Sequence, residues 1–296
     1  MDNARHSFPP CGRGEGEGSK STIARIPWNP QAEGWGVTKG CPAALLDFAQ
    51  HLADASGVIL RHYFRSGVEV IDKEDASPVT IADREAEQTL RGLIAASYPD
   101  HGVIGEEFGR DRPEAEHVWV LDPIDGTKSF ITGRPLFGTL IALCRRGRPI
   151  LGVIDHPALR ERWIGAEGHP TRHNGAPVRS RACAGLDRAV LFASSPHMFE
   201  NGYGETAFTR VRRRAKLVQY GSDCYHYGLV ASGHGDLAIE ARMDIYDYLA
   251  AVPVIEGAGG RVTDWQGKPL GLTSGDRVLA VGDPARQDEV MGLLAE

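Results

Sequence analysis

The chain has 296 residues, 42% of them hydrophobic and 24% charged, with a formal net charge of −6. That length carries a sizeable core, as one large domain or two smaller ones, and the acidic balance argues against general attraction to nucleic acid or an anionic membrane. No apolar run approaches the roughly 20 residues that span a bilayer, and no basic start leads into an apolar secretory stretch, so the expected location is the cytoplasm. Cys11, Cys41, Cys144, Cys183 and Cys224 are scattered without a Cys-x-x-Cys pair. That pattern suits reduced thiols rather than a disulfide framework.

Residues 1–38 alternate glycine with charge (Gly12, Gly14, Gly16, Gly18) and then turn to proline and polar residues. They offer too little apolar surface to offset the entropy of ordering, and are expected to form a flexible tail. The glycine run follows no strand and opens no helix, so it does not read as a nucleotide loop.

An α+β half, residues 39–185, and an α/β half, residues 186–296, are expected, in an α+β fold overall. Pro42 is a good first helical residue, and Leu45, Leu46, Ala49, Leu52, Ala53, Ile59, Leu60, Tyr63 and Phe64 follow at broadly helical spacing. Residues 72–79 read as a loop, and a second helix is expected at about 82–98. Strands are expected at 102–105, 117–122, 137–145, 150–155 and 161–166, with Gly147 and Pro149 turning a hairpin and Asn174-Gly175 another turn. From 186 onward strands (188–193, 216–220, 236–240, 260–264, 277–281) alternate with helices (204–214, 223–232, 246–258, 285–295). Strands in series followed by alternation predict layered sheets and helices with a cleft between the halves.

Three pieces carry chemistry: Ile104-Gly105-Glu106-Glu107, Asp122-Pro123-Ile124-Asp125-Gly126-Thr127, and Ile245-Tyr246-Asp247-Tyr248. A strand delivers Asp122, Pro123 stops the ladder, and the turn returns Asp125 to the same space. Gly126 lets the backbone approach an anion, and the amides of Gly126 and Thr127 can cradle phosphate oxygens. Carboxylates beside a phosphate cradle make a magnesium site, since magnesium takes oxygen ligands and substrate phosphates. Acids of this kind also serve as helix caps and turn residues. The other two acidic pieces shift the balance to a metal-dependent phosphatase.

These three pieces, in this order, resemble the signature of the inositol monophosphatase superfamily, and the similarity runs over residues 41–296, including Ser77-Pro-Val-Thr-Ile-Ala-Asp83. The resemblance implies a layered αβαβα sandwich, a homodimer, and Mg2+-dependent, lithium-sensitive hydrolysis of a small phosphate ester. It places a first ion on Glu106, Asp122 and the Ile124 carbonyl, and a second on Asp122, Asp125 and Asp247. Asp83 and Glu106 reach a third through water. It further implies a metal-activated water, oriented by Thr127 and Glu106, attacking phosphorus in line.

Lys128 and Phe130 after the Asp-Gly-Thr, the run Ile131–Leu143, Gly152-Val-Ile-Asp-His-Pro157, Glu161-Arg-Trp163 and Gly221-Ser-Asp-Cys-Tyr225 resemble the histidinol-phosphatase branch. Its substrate, L-histidinol phosphate, carries an ammonium and an imidazole, so acceptors are expected around the alcohol. Glu240 matches the position that contacts that portion, with Asp223 and Asp244 as helpers. Rival esters are inositol-1-phosphate and 3′(2′),5′-bisphosphate nucleotides. A rival of another class is a regulatory or RNA-associated binding protein using the basic run Arg210–Lys216, which otherwise reads as a solvated helix end. His169 and His173 have zinc-like spacing, but Pro170 and Asn174-Gly175 place them in a loop.

Overall fold

The computed structural model describes residues 40–67, 70–72, 78–202 and 204–295. The expected tail, residues 1–38, lies outside the described residues. Five layers stack in the order helices, sheet, helices, sheet, helices, as an αβαβα sandwich.

The outer pair is α1 (Ala43–Tyr63), with Pro42 as its cap rather than its first residue, and α2 (Ile81–Ser97). They cover an eight-stranded sheet whose strands lie in the order Ala176–Pro177, His169–His173, Glu161–Ala166, Arg148–His156, Gly138–Arg145, His117–Asp125, Gly102–Gly105 and Gly109–Asp111. Side chains alternate across a strand. Trp119 and Leu121 therefore join Phe48, Leu52, Leu90 and Ile94 in the core under α1 and α2. Val118 and Val120 point the other way, into a core shared with Tyr227, Val230, Val254 and Ile255. Because both faces are buried, this strand reads as a nearly continuous apolar run.

Short helices follow: α3 (Thr127–Ile131) after the central strand, α4 (Glu205–Arg212), α5 (Tyr225–Ala231), α6 (Ile245–Tyr248), α7 (Ala251–Gly257) and α8 (Gln287–Leu294). The middle layer, α5 and α7, packs against both sheets. The second sheet runs Leu217–Tyr220, Val190–Ala193, Leu237–Glu240, Val278–Val281, Arg261–Thr263. Its far face packs on α4 and α8 through Phe208, Val211, Val290 and Leu294.

The structure differs from the sequence reading in four further places. The expected loop 72–79 contains two short antiparallel strands, Val70–Asp72 and Pro78–Thr80. The segment around His169 and His173 is a strand, not a loop. There His169 lies 2.9 Å by Nε2 from the Cys41 carbonyl, and His173 stacks on Trp163, so neither is a zinc ligand pair. The expected helix 246–258 is two helices, α6 and α7, the second restarting just before Pro253, whose missing N–H has no intrahelical partner in a first turn anyway. Finally, Pro123 does not end the ladder: pairing lapses after Asp122↔Leu140 and resumes at Asp125↔Gly138, a bulge in an interior strand. In the basic run, Arg210 donates to the Leu293 carbonyl at the end of α8.

Candidate active site

The bulge after Asp122 lets two successive acids of one strand serve one site, since it cancels the alternation that would send one of them to the wrong face. Asp122, Asp125 and Asp247 each offer a carboxylate oxygen, and these oxygens lie within 4.8 Å of one another. Asp122 is buried, and among the described residues its Oδ1 has no hydrogen-bond partner. Burial first, and then repulsion from Glu106, Asp125 and Asp247, holds its carboxyl well above the usual range.

Each acid is aimed by a specific bond. Asp247 sits at the third position of α6, where its Oδ2 accepts the Asp244 backbone N–H at 2.8 Å, while Asp244 caps the same helix and takes the Tyr246 hydroxyl at 2.9 Å. Asp244 is thus occupied in setting the pitch of the helix that carries Asp247. Asp125 Oδ2 accepts the Cys224 N–H at 2.7 Å, from the start of α5. Asp83 completes the capping box of α2: Oδ2 takes both the N–H (2.7 Å) and the hydroxyl (2.6 Å) of Thr80, leaving buried Oδ1 without a partner. The Thr127 hydroxyl donates to the Ile124 carbonyl at 3.1 Å. Gly126 caps α3 at φ 80°, a backbone conformation that a side chain would strain.

The sequence reading missed Glu87. It is fully buried, accepts the N–H groups of Glu107 (2.7 Å) and Phe108 (3.2 Å), and pairs with Arg91 at 2.7 Å. This carboxylate holds the turn that presents Glu106, and a Cβ on Gly105 would overlap it and force it to shift. Gly105, at the end of a buried strand, was the one available signal of a close approach.

Glu240 and Asp223 lie at the second-half side of the site. Glu240 is fully buried and accepts the Ser194 N–H at 2.7 Å. Asp223, at φ 44°, accepts the Ser129 hydroxyl at 2.7 Å and lies against Gly126. Burial lifts the carboxyls of Asp125 to about 7 and Asp83 to about 6, with Asp223 and Glu106 respectively adding repulsion.

An all-oxygen set of converging acids, one with an orphaned buried oxygen, fits a hard divalent cation. Such a centre, set at the meeting of two sheets in an αβαβα sandwich, defines a metal-dependent phosphatase. The sequence profile of the inositol monophosphatase family matches residues 42–296, and the chain belongs to that family. It is 55% identical over 241 residues to the bifunctional phosphatase IMPL2, chloroplastic, of Arabidopsis thaliana, covering 78% of this chain and 69% of that one. It is 38% identical over 224 residues to a histidinol-phosphatase of Chlorobaculum parvum, covering 75% and 86%. An inositol monophosphatase structure from Zymomonas mobilis superposes with a TM-score of 0.79 at 43% identity, covering 86% of this chain and 99% of that one. The chain is therefore a phosphatase of small phosphate esters. Among the described residues, no helix is long and apolar enough to cross a membrane.

Proposed function

We propose that this phosphatase hydrolyses L-histidinol phosphate with water to L-histidinol and inorganic phosphate. The observation that carries the reading is the surplus of carboxylate beyond the metal-binding acids. Glu240 and Asp223 flank the site, and Glu240 keeps one buried oxygen, Oε2, without a partner. Burial holds the Glu240 carboxyl well above its ordinary range, and a cationic leaving alcohol restores its charge where a neutral polyol does not.

Glu106, Asp122, the Ile124 carbonyl, Asp125 and Asp247 would hold two magnesium ions, with Asp83 and Glu106 reaching a third. Bound magnesium would supply Lewis acidity and neutralise phosphate charge. The chain's own groups do the positioning. Thr127, its proton engaged by Ile124, keeps lone pairs to orient the attacking water, with Glu106 as its other acceptor. The amides of Gly126 and Thr127 hold phosphate oxygens, and Glu240 and Asp223 receive the ammonium and imidazole of the alcohol. The working unit in this reading is a homodimer in the cytoplasm, consistent with Cys41, Cys144, Cys183 and Cys224 being free. The complete acid set weighs against a regulatory or RNA-associated protein that has given up catalysis.

The test is phosphate release from histidinol phosphate, inositol-1-phosphate and adenosine 3′,5′-bisphosphate at equal magnesium. Histidinol phosphate is expected to lead in kcat/KM by about tenfold or more, the effect of one charge-assisted bond. Inositol-1-phosphate is the second reading, favoured by the inositol monophosphatase from Zymomonas mobilis at 43% identity. Its leading the panel overturns the first.

A further inference from the structure

Four segments distant in sequence, Ile131–Leu143, Gly152–Pro157, Glu161–Trp163 and Gly221–Tyr225, meet around one side chain, His156. It is fully buried at the end of the strand Arg148–His156. Its Nδ1 lies 2.8 Å from the Phe137 carbonyl oxygen and its Nε2 lies 3.7 Å from Sγ of Cys224. The Tyr225 ring stands edge-on to the imidazole with centroids 4.9 Å apart, and the Tyr225 hydroxyl donates to Glu161 at 2.7 Å. A Cβ on Gly138 would come to 2.8 Å from Cys224 Sγ and 2.9 Å from His156 Cε1, so the pair fills the space against that strand. The proton positions follow from the partners. A carbonyl only accepts, so the ring N–H is on Nδ1. Burial pushes the imidazole down to about 4, so the ring is neutral and Nε2 is left as an acceptor. The donor that meets it is the Cys224 Sγ–H.

Cys224 is tied by its backbone to the converging acids, because its N–H donates to Oδ2 of Asp125 at 2.7 Å. The direction of that N–H is set by the peptide plane between Asp223 and Cys224. Asp223 holds its side of the plane at φ 44°, a conformation disfavoured for a residue with a Cβ, which persists only where neighbours fix it. The Ser129 hydroxyl fixes the Asp223 side, and the bond from the thiol to His156 fixes the Cys224 side. We infer that His156 is a positioning residue for Asp125: by accepting from the Cys224 thiol it holds the residue whose backbone N–H aims Oδ2 of that carboxylate. This inference rests on the assignment of Asp125 as a magnesium ligand and not on the choice of ester.

The experiment compares wild type, His156→Asn, His156→Gln, Cys224→Ala and the double variant His156→Asn with Cys224→Ala. It measures magnesium affinity by calorimetry, kcat for an aryl phosphate and melting temperature. An Asn amide reproduces Nδ1 and its bond to Phe137 but offers nothing at Nε2, whereas Gln places its carbonyl oxygen near Nε2 and keeps the acceptor. His156→Asn and Cys224→Ala are each expected to weaken magnesium binding by about three- to tenfold, the range of one neutral hydrogen bond. His156→Gln is expected to recover most of that loss, and the double variant to be no worse than either single one, since both remove the same bond. A merely structural role lowers the melting temperatures and leaves the magnesium affinity of the folded protein unchanged. That result overturns the inference, as do losses that multiply in the double variant or a folded Gln variant that recovers nothing. Should His156→Asn fail to fold, Cys224→Ala removes the same bond from its other end, and unchanged magnesium affinity there overturns the inference as well. Asp125→Asn, measured alongside, reads the metal assignment by itself. Magnesium binding that survives it removes Asp125 from the metal site, whereas loss there and none in Cys224→Ala removes only the role of His156.

Discussion

The backbone N–H of Cys224 donates to Oδ2 of Asp125 at 2.7 Å, so a carboxylate from the first sheet is held by a helix start from the second half of the chain. The same loop is tied twice more: Arg134 donates to the Gly221 carbonyl at 2.6 Å, and the Ser129 hydroxyl donates to Asp223 at 2.7 Å. The acids are thus oriented by backbone and neighbouring side chains before any ion arrives.

Asp125→Asn separates these two roles. An amide oxygen still accepts from Cys224, so the melting temperature of the metal-free protein should hold or rise slightly. The charged ligand is lost, and turnover should fall by about a hundredfold or more, with weaker magnesium binding in calorimetry. Near-normal turnover at saturating magnesium would remove Asp125 from the metal site.

Thr127→Ala removes a hydroxyl that donates to the Ile124 carbonyl at 3.1 Å. Turnover should drop about a hundredfold, as for a misplaced reactant, while magnesium affinity stays within about threefold. Parallel losses of both would make Thr127 a support for the Ile124 carbonyl instead.

Glu87→Ala leaves two amide N–H groups and Arg91 without their buried acceptor. Stability should fall by about 3 kcal/mol, and activity should fall with it because Glu106 loses its fixed turn. Urea unfolding with a parallel rate measurement checks both. A stable variant with full activity would show that the strand pairing alone positions Glu106.

The raised carboxyls predict a pH response of the metal-free protein. Asp125 at about 7 and Asp83 at about 6 both sit above the ordinary carboxylate range because burial disfavours their charge. Such groups bind more protons folded than unfolded, so their contribution is fully present below the ordinary aspartate value of 3.8 and is lost progressively as pH rises from there to about 6 to 7. The melting temperature in chelator should therefore fall across that window, and magnesium should restore it most at the upper end. Magnesium binding there should also release protons, visible as a buffer-dependent heat. A flat melting temperature across the window would contradict the burial of these acids.

The acids that converge on the site were legible in the sequence because Pro123 and Gly126 mark the turn that returns Asp125 beside Asp122. Trp119, Leu121, Val118 and Val120 announced a strand buried on both faces. Glu87 was illegible for the opposite reason. On a helix, an acid four residues before Arg91 reads as a surface pair, and only the arrival of the Gly105 strand buries it. The short strands Val70–Asp72 and Pro78–Thr80 were hidden because three polar-flanked residues carry no periodicity. The strand His169–His173 was hidden by Pro170, which occurs here in the strand next to the outermost pair Ala176–Pro177, close to the sheet's edge.

The acids of the first sheet and Asp247 are separated by more than a hundred residues of chain, and this has a consequence for biosynthesis. A ribosome extruding this chain releases Glu106, Asp122 and Asp125 well before α5 and α6 exist to complete their surroundings. A partly made protein therefore holds three mutually repelling carboxylates without the Cys224 N–H that steadies Asp125 or the third carboxylate of the triad. The acid cluster is complete only when the late segment docks, so truncated products released early in translation are expected to lack phosphatase activity.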